Sequence, residues 1–279
     1  MNALTDIMTV LTRRVRERGE DVEAWIRRQR LEPLVYGVEV PGLELSESFL
    51  AACRQAYFNM TGKAQLFLAE SERLVRVLAE AGVPARASRG ALFGRELYGD
   101  PGLRYFTDLD ITVEAADKWR VLTLMEREGY QVRGRWLPRW FLARHHLHWP
   151  MIRRDGRIPV DVHWRVDHPY RDLGIGEREL AGLGGAARRL VEAVLHAEKE
   201  SRLRYAADAA ELEQRVLWDG PVMPWIDVAL MARIDAAAVA EAGALLTRCR
   251  SSDVWNRTRW VWRHVLGWED GQTVPPMPT

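Results

Sequence analysis

The segment from Asp108 to Val113 constrains the fold more than any other part of the chain. Its polar and apolar residues alternate, so that Leu109, Ile111 and Val113 share one side and the two aspartates share the other. Such alternation is typical of a strand with one buried face and one polar face. The segment therefore predicts a sheet that has a core on one side and two carboxylates on the other.

A second pair of strands is predicted further along the chain. The turn dipeptide Asp155-Gly156 lies between two largely apolar segments, 147–153 and 158–165, which is a strong hairpin signal. Asp161 projects from the polar face of the second strand. The apolar face of that strand is predicted to carry Ile158, Val160, Val162 and Trp164.

Helical patterns flank these strands. Residues 47–81 form an amphipathic run without proline, with Leu66, Leu74 and Leu78 on its predicted apolar face, and helical periodicity returns after about residue 177. We therefore predict an α+β fold, in which a small mixed β-sheet core is flanked by N-terminal and C-terminal helical regions. The expected division is an N-terminal helical region at 1–82, the core at 83–175, a C-terminal helical domain at 176–272 and a flexible tail at 273–279.

Composition excludes several classes of protein. The chain has 47% hydrophobic residues and a formal net charge of +1, unlike a disordered protein. Two cysteines, Cys53 and Cys249, are too few for a disulfide scaffold, and no run of about 18 uncharged apolar residues predicts a membrane helix. The N-terminus lacks the pattern of a secretion signal, so we expect a cytoplasmic protein with reduced cysteines and no membrane partner.

Residues 133–171 concentrate positive charge, with nine arginines against three aspartates, and also hold four tryptophans and five histidines. Two interpretations stay open. In the first, the segment binds RNA or another phosphorylated acceptor. In the second, its tryptophans are core residues and its arginines line a cleft or face solvent. We place Trp149 and Trp164 in the core because they lie on apolar strand faces. The three histidines between 145 and 148 have no cysteine nearby, so a zinc site is not predicted.

Asp108 and Asp110 are the first candidates for chemistry. They project from one face of the same strand, and two carboxylates this close repel each other unless a cation or a shared proton compensates. Mg²⁺ prefers such oxygen ligands, and Asp161 on a neighbouring strand could complete a three-carboxylate cluster of the kind used in two-metal phosphoryl transfer. The alternative is a pair of solvated aspartates at a strand edge.

A phosphate-binding segment is predicted upstream of the aspartates. Gly90 lies where a short extended segment gives way to a helix, and a glycine there lets phosphate approach the backbone N–H groups of the helix N-terminus. Arg89 and Arg104 flank the region and could neutralise phosphate charge. These three residues are our candidates for nucleotide binding in this part of the chain.

Several segments together resemble one known family. The motifs that carry the similarity are Ser88-Arg-Gly-Ala-Leu-Phe-Gly-Arg-Glu-Leu-Tyr98, Asp100-Pro-Gly-Leu-Arg104, Asp108-Leu-Asp-Ile-Thr-Val113, Gly129-Tyr130, Val160-Asp-Val-His-Trp164, His196-Ala-Glu-Lys199 and Asp208. In this order and spacing they resemble the uncharacterised bacterial nucleotidyltransferase family of the DNA polymerase beta-like nucleotidyltransferase superfamily. Weaker similarity at Trp25 and Leu34 extends the resemblance over most of the chain.

The resemblance implies a nucleotidyltransferase core. Asp108, Asp110 and Asp161 match the metal-binding carboxylates of the family, and two Mg²⁺ ions are expected as cofactors. Gly90 matches the glycine at the start of the helix that holds the nucleotide phosphates. Lys199 matches a lysine of the C-terminal domain that reaches the same site.

The chain also departs from the family pattern. Arg89 replaces the lysine that usually precedes the glycine, and Ala91 replaces the serine that usually follows it, so a hydroxyl is lost. His196 and Lys199, three residues apart, share one helical face and are expected to bind nucleotide, with a simple surface pair as the alternative.

The expected reaction is attack by an acceptor hydroxyl, or another nucleophile, on the α-phosphate of a nucleoside triphosphate, with release of pyrophosphate. ATP is the expected nucleotide, Asp161 is expected to help deprotonate the nucleophile, and the acceptor (a small molecule, a protein or RNA) stays open. One alternative is a non-catalytic binding or regulatory module, favoured by the loss of the Gly-Ser pair. The other is a metal-dependent sugar-nucleotide glycosyltransferase, whose D-x-D motif binds a metal–diphosphate.

Overall fold

The computed structural model describes residues 3–133, 137–166, 173–175, 177–203, 206, 208–249 and 251–267. The chain divides into two units, one made of Met1–Arg54 and Asp172–Thr279 and the other of Gln55–Arg171. The predicted tail at 273–279 lies outside the described residues.

The elements follow the order expected from the sequence, with helices before and after a set of short strands. The helices are α1 (Ala3–Glu17), α2 (Val22–Arg28), α3 (Glu32–Gly37), α4 (Glu47–Glu80), α5 (Gly90–Leu97), α6 (Lys118–Arg127), α7 (Arg139–His145), α8 (Glu177–Ala181), α9 (Gly185–Glu200), α10 (Ala209–Gln214), α11 (Met223–Ile234), α12 (Ala236–Arg248) and α13 (Ser252–His264). The strands are β1 (Ala85–Ser88), β2 (Leu109–Val113), β3 (Tyr130–Val132), β4 (His148–Arg153) and β5 (Pro159–His163).

The five strands form one mixed sheet in the order β1-β2-β5-β4-β3. β2 and β5 run parallel, and every other neighbouring pair is antiparallel. The predicted hairpin is confirmed as β4 and β5, and Gly156 in its turn has a φ of 74°. The α+β fold with a small mixed sheet is therefore confirmed, and β3 is an additional strand that the alternation pattern did not predict.

The core of the second unit lies on the apolar face of this sheet. Leu109, Ile111 and Val113 are buried as predicted, and Trp149 and Trp164 are buried beneath β4 and β5. Removing these side chains from water is the main contribution to stability here, at roughly 25 cal/mol per Å² of apolar surface. The core also includes residues of α4, α6 and α7.

Helix α4 buries a different stripe from the predicted one. Leu74 and Leu78 are buried as expected, but Leu66 is 47% exposed and Phe67 takes the inward position instead. Successive helical residues differ by about 100° around the axis, so a shift of one residue moves a side chain from the core to the surface. The prediction for Leu66 was wrong because Leu66 and Phe67 are both apolar, so hydrophobicity alone does not show which of the two faces the core.

The first unit has its own core. Trp25 is completely buried, and its indole Nε1 donates a hydrogen bond to the Leu217 carbonyl over 2.7 Å. Gln29 donates to the same carbonyl and accepts from the backbone N–H of Val222, so its buried amide is satisfied. These bonds tie α2 to the C-terminal helices of the unit.

Two further predictions concern the cysteines and the membrane. Cys53 and Cys249 are both free thiols, as expected. In the described part of the chain, every helix is too short or too polar to span a lipid bilayer.

Candidate active site

Three aspartates meet where β2 and β5 lie side by side. Asp110 on β2 is paired in register with Asp161 on β5, and Asp108 comes directly before β2. In β2 the alternating burial turns Leu109 and Ile111 into the core and leaves Asp110 on the opposite face. The parallel pairing thus brings together carboxylates that are 51 residues apart in the chain.

The aspartates repel each other and are partly withdrawn from water. Burial, with the charges of Asp108 and Asp110, raises the pKa of Asp161 to about 7. Burial and the neighbouring Asp110 also raise the pKa of Asp108, against the opposing charge of Arg89. A group of carboxylates in this condition is stabilised by added positive charge.

Arg89 and two histidines supply positive or proton-bearing partners. Asp110 Oδ1 lies 2.9 Å from Arg89 Nη2 and 2.7 Å from His163 Nε2. On the neighbouring strand, His148 Nε2 lies 3.3 Å from Asp161 Oδ2. The carboxylates therefore belong to a network that crosses β2, β5 and β4.

The junction between β1 and α5 lies against the aspartates. Gly90 has a φ of 46°, and a Cβ atom on it would lie 3.3 Å from the backbone oxygen of Asp108. Arg89, just before it, has a φ of 50°, a conformation that favours glycine and costs an ordinary residue about 1–2 kcal/mol. A small cleft of about 10 Å³, room for one water molecule, is lined by this junction and by Asp108 and Asp110.

Arg104 lies beside the start of α5. Its side chain is largely buried, and its Nη1 donates to the carbonyl oxygen of Gly90 over 3.3 Å. This hydrogen bond connects the Asp100–Arg104 motif to the start of α5, so Arg104 helps to hold the β1–α5 junction in place. Its predicted role in nucleotide binding stays a prediction.

Lys63 is a residue that the sequence analysis missed. It lies on α4, and its Nζ donates to the carbonyl oxygens of Phe106 over 2.7 Å and Thr107 over 3.3 Å. Burial lowers the pKa of Lys63, and the charge of Asp108 partly offsets that effect. Its position 45 residues before Asp108 gave no periodic or motif signal that could have indicated this proximity.

The remaining predicted site residues, His196 and Lys199, belong to the first unit. His196 and Lys199 are on α9 in the first unit, where Lys199 pairs with Glu200 over 3.1 Å, and their proposed contact with nucleotide stays a prediction. In the arginine-rich segment, Trp149 and Trp164 are core residues as predicted, whereas Trp140 on α7 is 63% exposed.

Comparison with known proteins places the chain in a family. A family model described as an uncharacterised nucleotidyltransferase matches residues 18–182, a range that contains the whole sheet and all three aspartates. Neither a curated protein nor a solved structure matches the chain. The family match covers more than half of the sequence, and the chain therefore belongs to this uncharacterised family of nucleotidyltransferases.

Proposed function

We propose that the protein transfers a nucleoside monophosphate from a nucleoside triphosphate, with ATP as the expected donor, to an acceptor hydroxyl or another nucleophile. Pyrophosphate is the second product, and the reaction depends on Mg²⁺. Family membership supports nucleotidyl transfer in general. The finer statement depends on one observation, the convergence of Asp108, Asp110 and Asp161 at the neighbouring strands β2 and β5.

The donor set of these three residues fits Mg²⁺. Carboxylate oxygens are the ligands that this hard cation prefers, and the raised pKa values of Asp108 and Asp161 indicate a site where added positive charge is favourable. When bound, Mg²⁺ neutralises phosphate charge and lowers the pKa of a coordinated hydroxyl. The three aspartates would hold it, and two ions are expected in this chemistry.

We assign the proton transfer to Asp161. As the new bond forms between the acceptor oxygen and the α-phosphorus, the bond from that phosphorus to the bridging oxygen of pyrophosphate breaks. The acceptor proton passes to Asp161, whose carboxylate lies on the same face as Asp110. In-line displacement with general-base assistance accounts for every atom of the reaction.

Arg89 and Gly90 are assigned to the triphosphate. The first turn of α5 would offer backbone N–H groups to phosphate oxygens, and the missing Cβ of Gly90 lets this turn lie close to the Asp108 backbone. In this structure the Arg89 guanidinium donates a hydrogen bond to Asp110. When a bound cation neutralises Asp110 instead, Arg89 would be released to contact the phosphates.

The test is transfer of label from α-labelled nucleoside triphosphates. Purified protein, Mg²⁺ and a pool of cellular small molecules, RNA and protein would be incubated with each of the four triphosphates. Asp110→Asn is expected to lower labelling by at least about a hundredfold, because it removes a charge from the cluster and keeps the side-chain size. Asp117→Asn, outside the cluster in the same unit, is the matched control and should keep full activity.

Two results would contradict the proposal. Equal labelling by wild type and by Asp110→Asn would rule out the carboxylate mechanism. A wild-type protein whose unfolding temperature does not respond to Mg²⁺ with any triphosphate would instead support a non-catalytic module.

A further inference from the structure

Two histidines and one aspartate converge on the polar face of the β4–β5 hairpin. His148 lies directly opposite His163 in the antiparallel register, and Asp161 is two residues before His163 on the same face. Each of the three side chains offers one ligand atom, and these atoms all lie within 4.8 Å of one another. The rings of His148 and His163 are 4.9 Å apart between centroids.

We propose that His148, Asp161 and His163 bind a divalent transition-metal ion of the zinc class. Two imidazole nitrogens and one carboxylate oxygen are the donors that Zn²⁺, Co²⁺ and related ions prefer, whereas Mg²⁺ prefers oxygen alone. Two ligands that bind one such ion tetrahedrally, each at about 2.1 Å, lie about 3.4 Å apart. The separation of 3.3 Å between His148 Nε2 and Asp161 Oδ2 already matches this value.

The surroundings hold two of the three ligands in position and leave the ion accessible. His148 and His163 are on strands whose neighbouring residues, Trp149 and Val162, are completely buried on the other face, so the backbone beneath the site is fixed. Nε2 of the His163 ring contacts Asp110 Oδ1 over 2.7 Å and Arg89 Nη2 over 3.0 Å, and these two contacts orient the ring. The side chains of His148 and Asp161 are 18% and 21% exposed to solvent, which is enough for water or a substrate oxygen to complete the coordination of the ion.

A simpler account is an ion pair between His148 and Asp161 with no metal. The two accounts differ in the role of His163. A metal ion would use His163 as its third ligand, whereas an ion pair between His148 and Asp161 does not involve His163. They also differ in how the site responds to a replacement ligand. Cysteine at position 148 would abolish an ion pair but would still bind a zinc-class ion.

The inference goes beyond the proposed nucleotidyl transfer, and Asp161 is the one ligand that the two proposed sites share, while Asp110 contacts His163. It requires neither triphosphate nor Mg²⁺, and neither Asp108 nor Asp110 is a ligand. Failure of one therefore leaves the other testable. Asp108→Asn should remove the response to Mg²⁺ with triphosphate and leave the transition-metal site intact.

The experiment is a titration of the full, untagged, metal-stripped chain with Co²⁺, followed by visible ligand-field absorption and by calorimetry. One saturable Co²⁺ ion is expected per chain, displaced by Zn²⁺. His148→Asn should weaken binding at least about tenfold, since even the loss of a supporting contact to a metal ligand costs that much. His145→Asn, an exposed histidine three residues away, is the matched control and should bind Co²⁺ as the wild type does.

His148→Cys distinguishes loss of a ligand from loss of the fold. It should keep Co²⁺ binding and add the intense charge-transfer absorption of a cobalt–thiolate bond. No saturable Co²⁺ binding by the wild type, or equal affinity in the wild type and His148→Asn, would overturn the inference. Loss of binding in both position-148 variants, with both proteins folded, would also overturn it.

Discussion

Replacing Gly90 with alanine tests whether the β1–α5 junction positions Asp108. Gly90 has a φ of 46°, and alanine in this left-handed region costs about 1–2 kcal/mol. The smaller conformational freedom of the unfolded alanine chain returns about 0.4–1 kcal/mol. Gly90→Ala should therefore lower the free energy of unfolding by about 1 kcal/mol, which for a chain of 279 residues corresponds to a fall of about 2 °C in the unfolding temperature.

The position of the new methyl group sets this variant apart from an ordinary strained glycine. Its Cβ would lie 3.3 Å from the Asp108 carbonyl oxygen, so the Asp108 backbone must shift by a few tenths of an ångström. A shift of about 1 Å at a catalytic group can cost a hundredfold in rate, so a smaller shift should cost about tenfold. Nucleotidyl transfer and the thermal response to Mg²⁺ with triphosphate should both fall accordingly.

Gly99→Ala is the control. Gly99 also has a positive φ, 74°, but nothing lies within 4 Å of a Cβ placed there. In urea-induced unfolding Gly90→Ala should lose at least as much stability as Gly99→Ala, and only Gly90→Ala should lose function. Full activity in Gly90→Ala, or an equal loss in Gly99→Ala, would refute the assigned role of the junction.

Two predictions concern stability away from the aspartates. Burial alone would raise the pKa of Glu70, but hydrogen bonds from Arg73 and Tyr130 outweigh it and lower the pKa. The ionised Glu70 carboxylate stabilises the fold fully above its unfolded pKa of about 4.3, and this stabilisation is lost as pH falls through the lowered folded pKa. Glu70→Gln should therefore destabilise the protein by about 2 kcal/mol at pH 7, and the difference from wild type in thermal melts should shrink below pH 4. A gap independent of pH would contradict this. Glu198 is 1% exposed and forms an ion pair with Arg257. Arg257→Leu should lower the free energy of unfolding in urea by about 3–5 kcal/mol, because it leaves a buried carboxylate unpaired, and adding Glu198→Gln to that variant should restore part of the lost stability. No loss in Arg257→Leu would contradict this.

Local patterns predicted most of the elements around the site. The alternation of Asp108–Val113 depends only on which side chains can be buried, and β2 follows it residue by residue. The turn dipeptide Asp155-Gly156 also marks where the hairpin reverses, although the turn itself runs from Arg153 to Gly156, whose N–H donates to the Arg153 carbonyl. The register that follows from this reversal places His148 opposite His163.

Other features could not be obtained locally. Tyr130–Val132 is too short for its alternation to be distinguished from a loop, and it forms a strand because β4 offers it an edge. Leu66 and Phe67 are equally apolar, so only the packing of α4 against the sheet decides which one is buried.

The sequence by itself determined the α+β class, the strands that carry the aspartates, and the hairpin, because these follow from the burial and turn preferences of neighbouring residues. Only the tertiary structure decided that β2 pairs with β5 in parallel, which sets Asp110 beside Asp161. It also decided that Lys63 lies close enough to Asp108 for their charges to interact. Parallel pairing needs a long crossover, and no short-range signal specifies its register, so the charge environment of the site exists only in the folded chain.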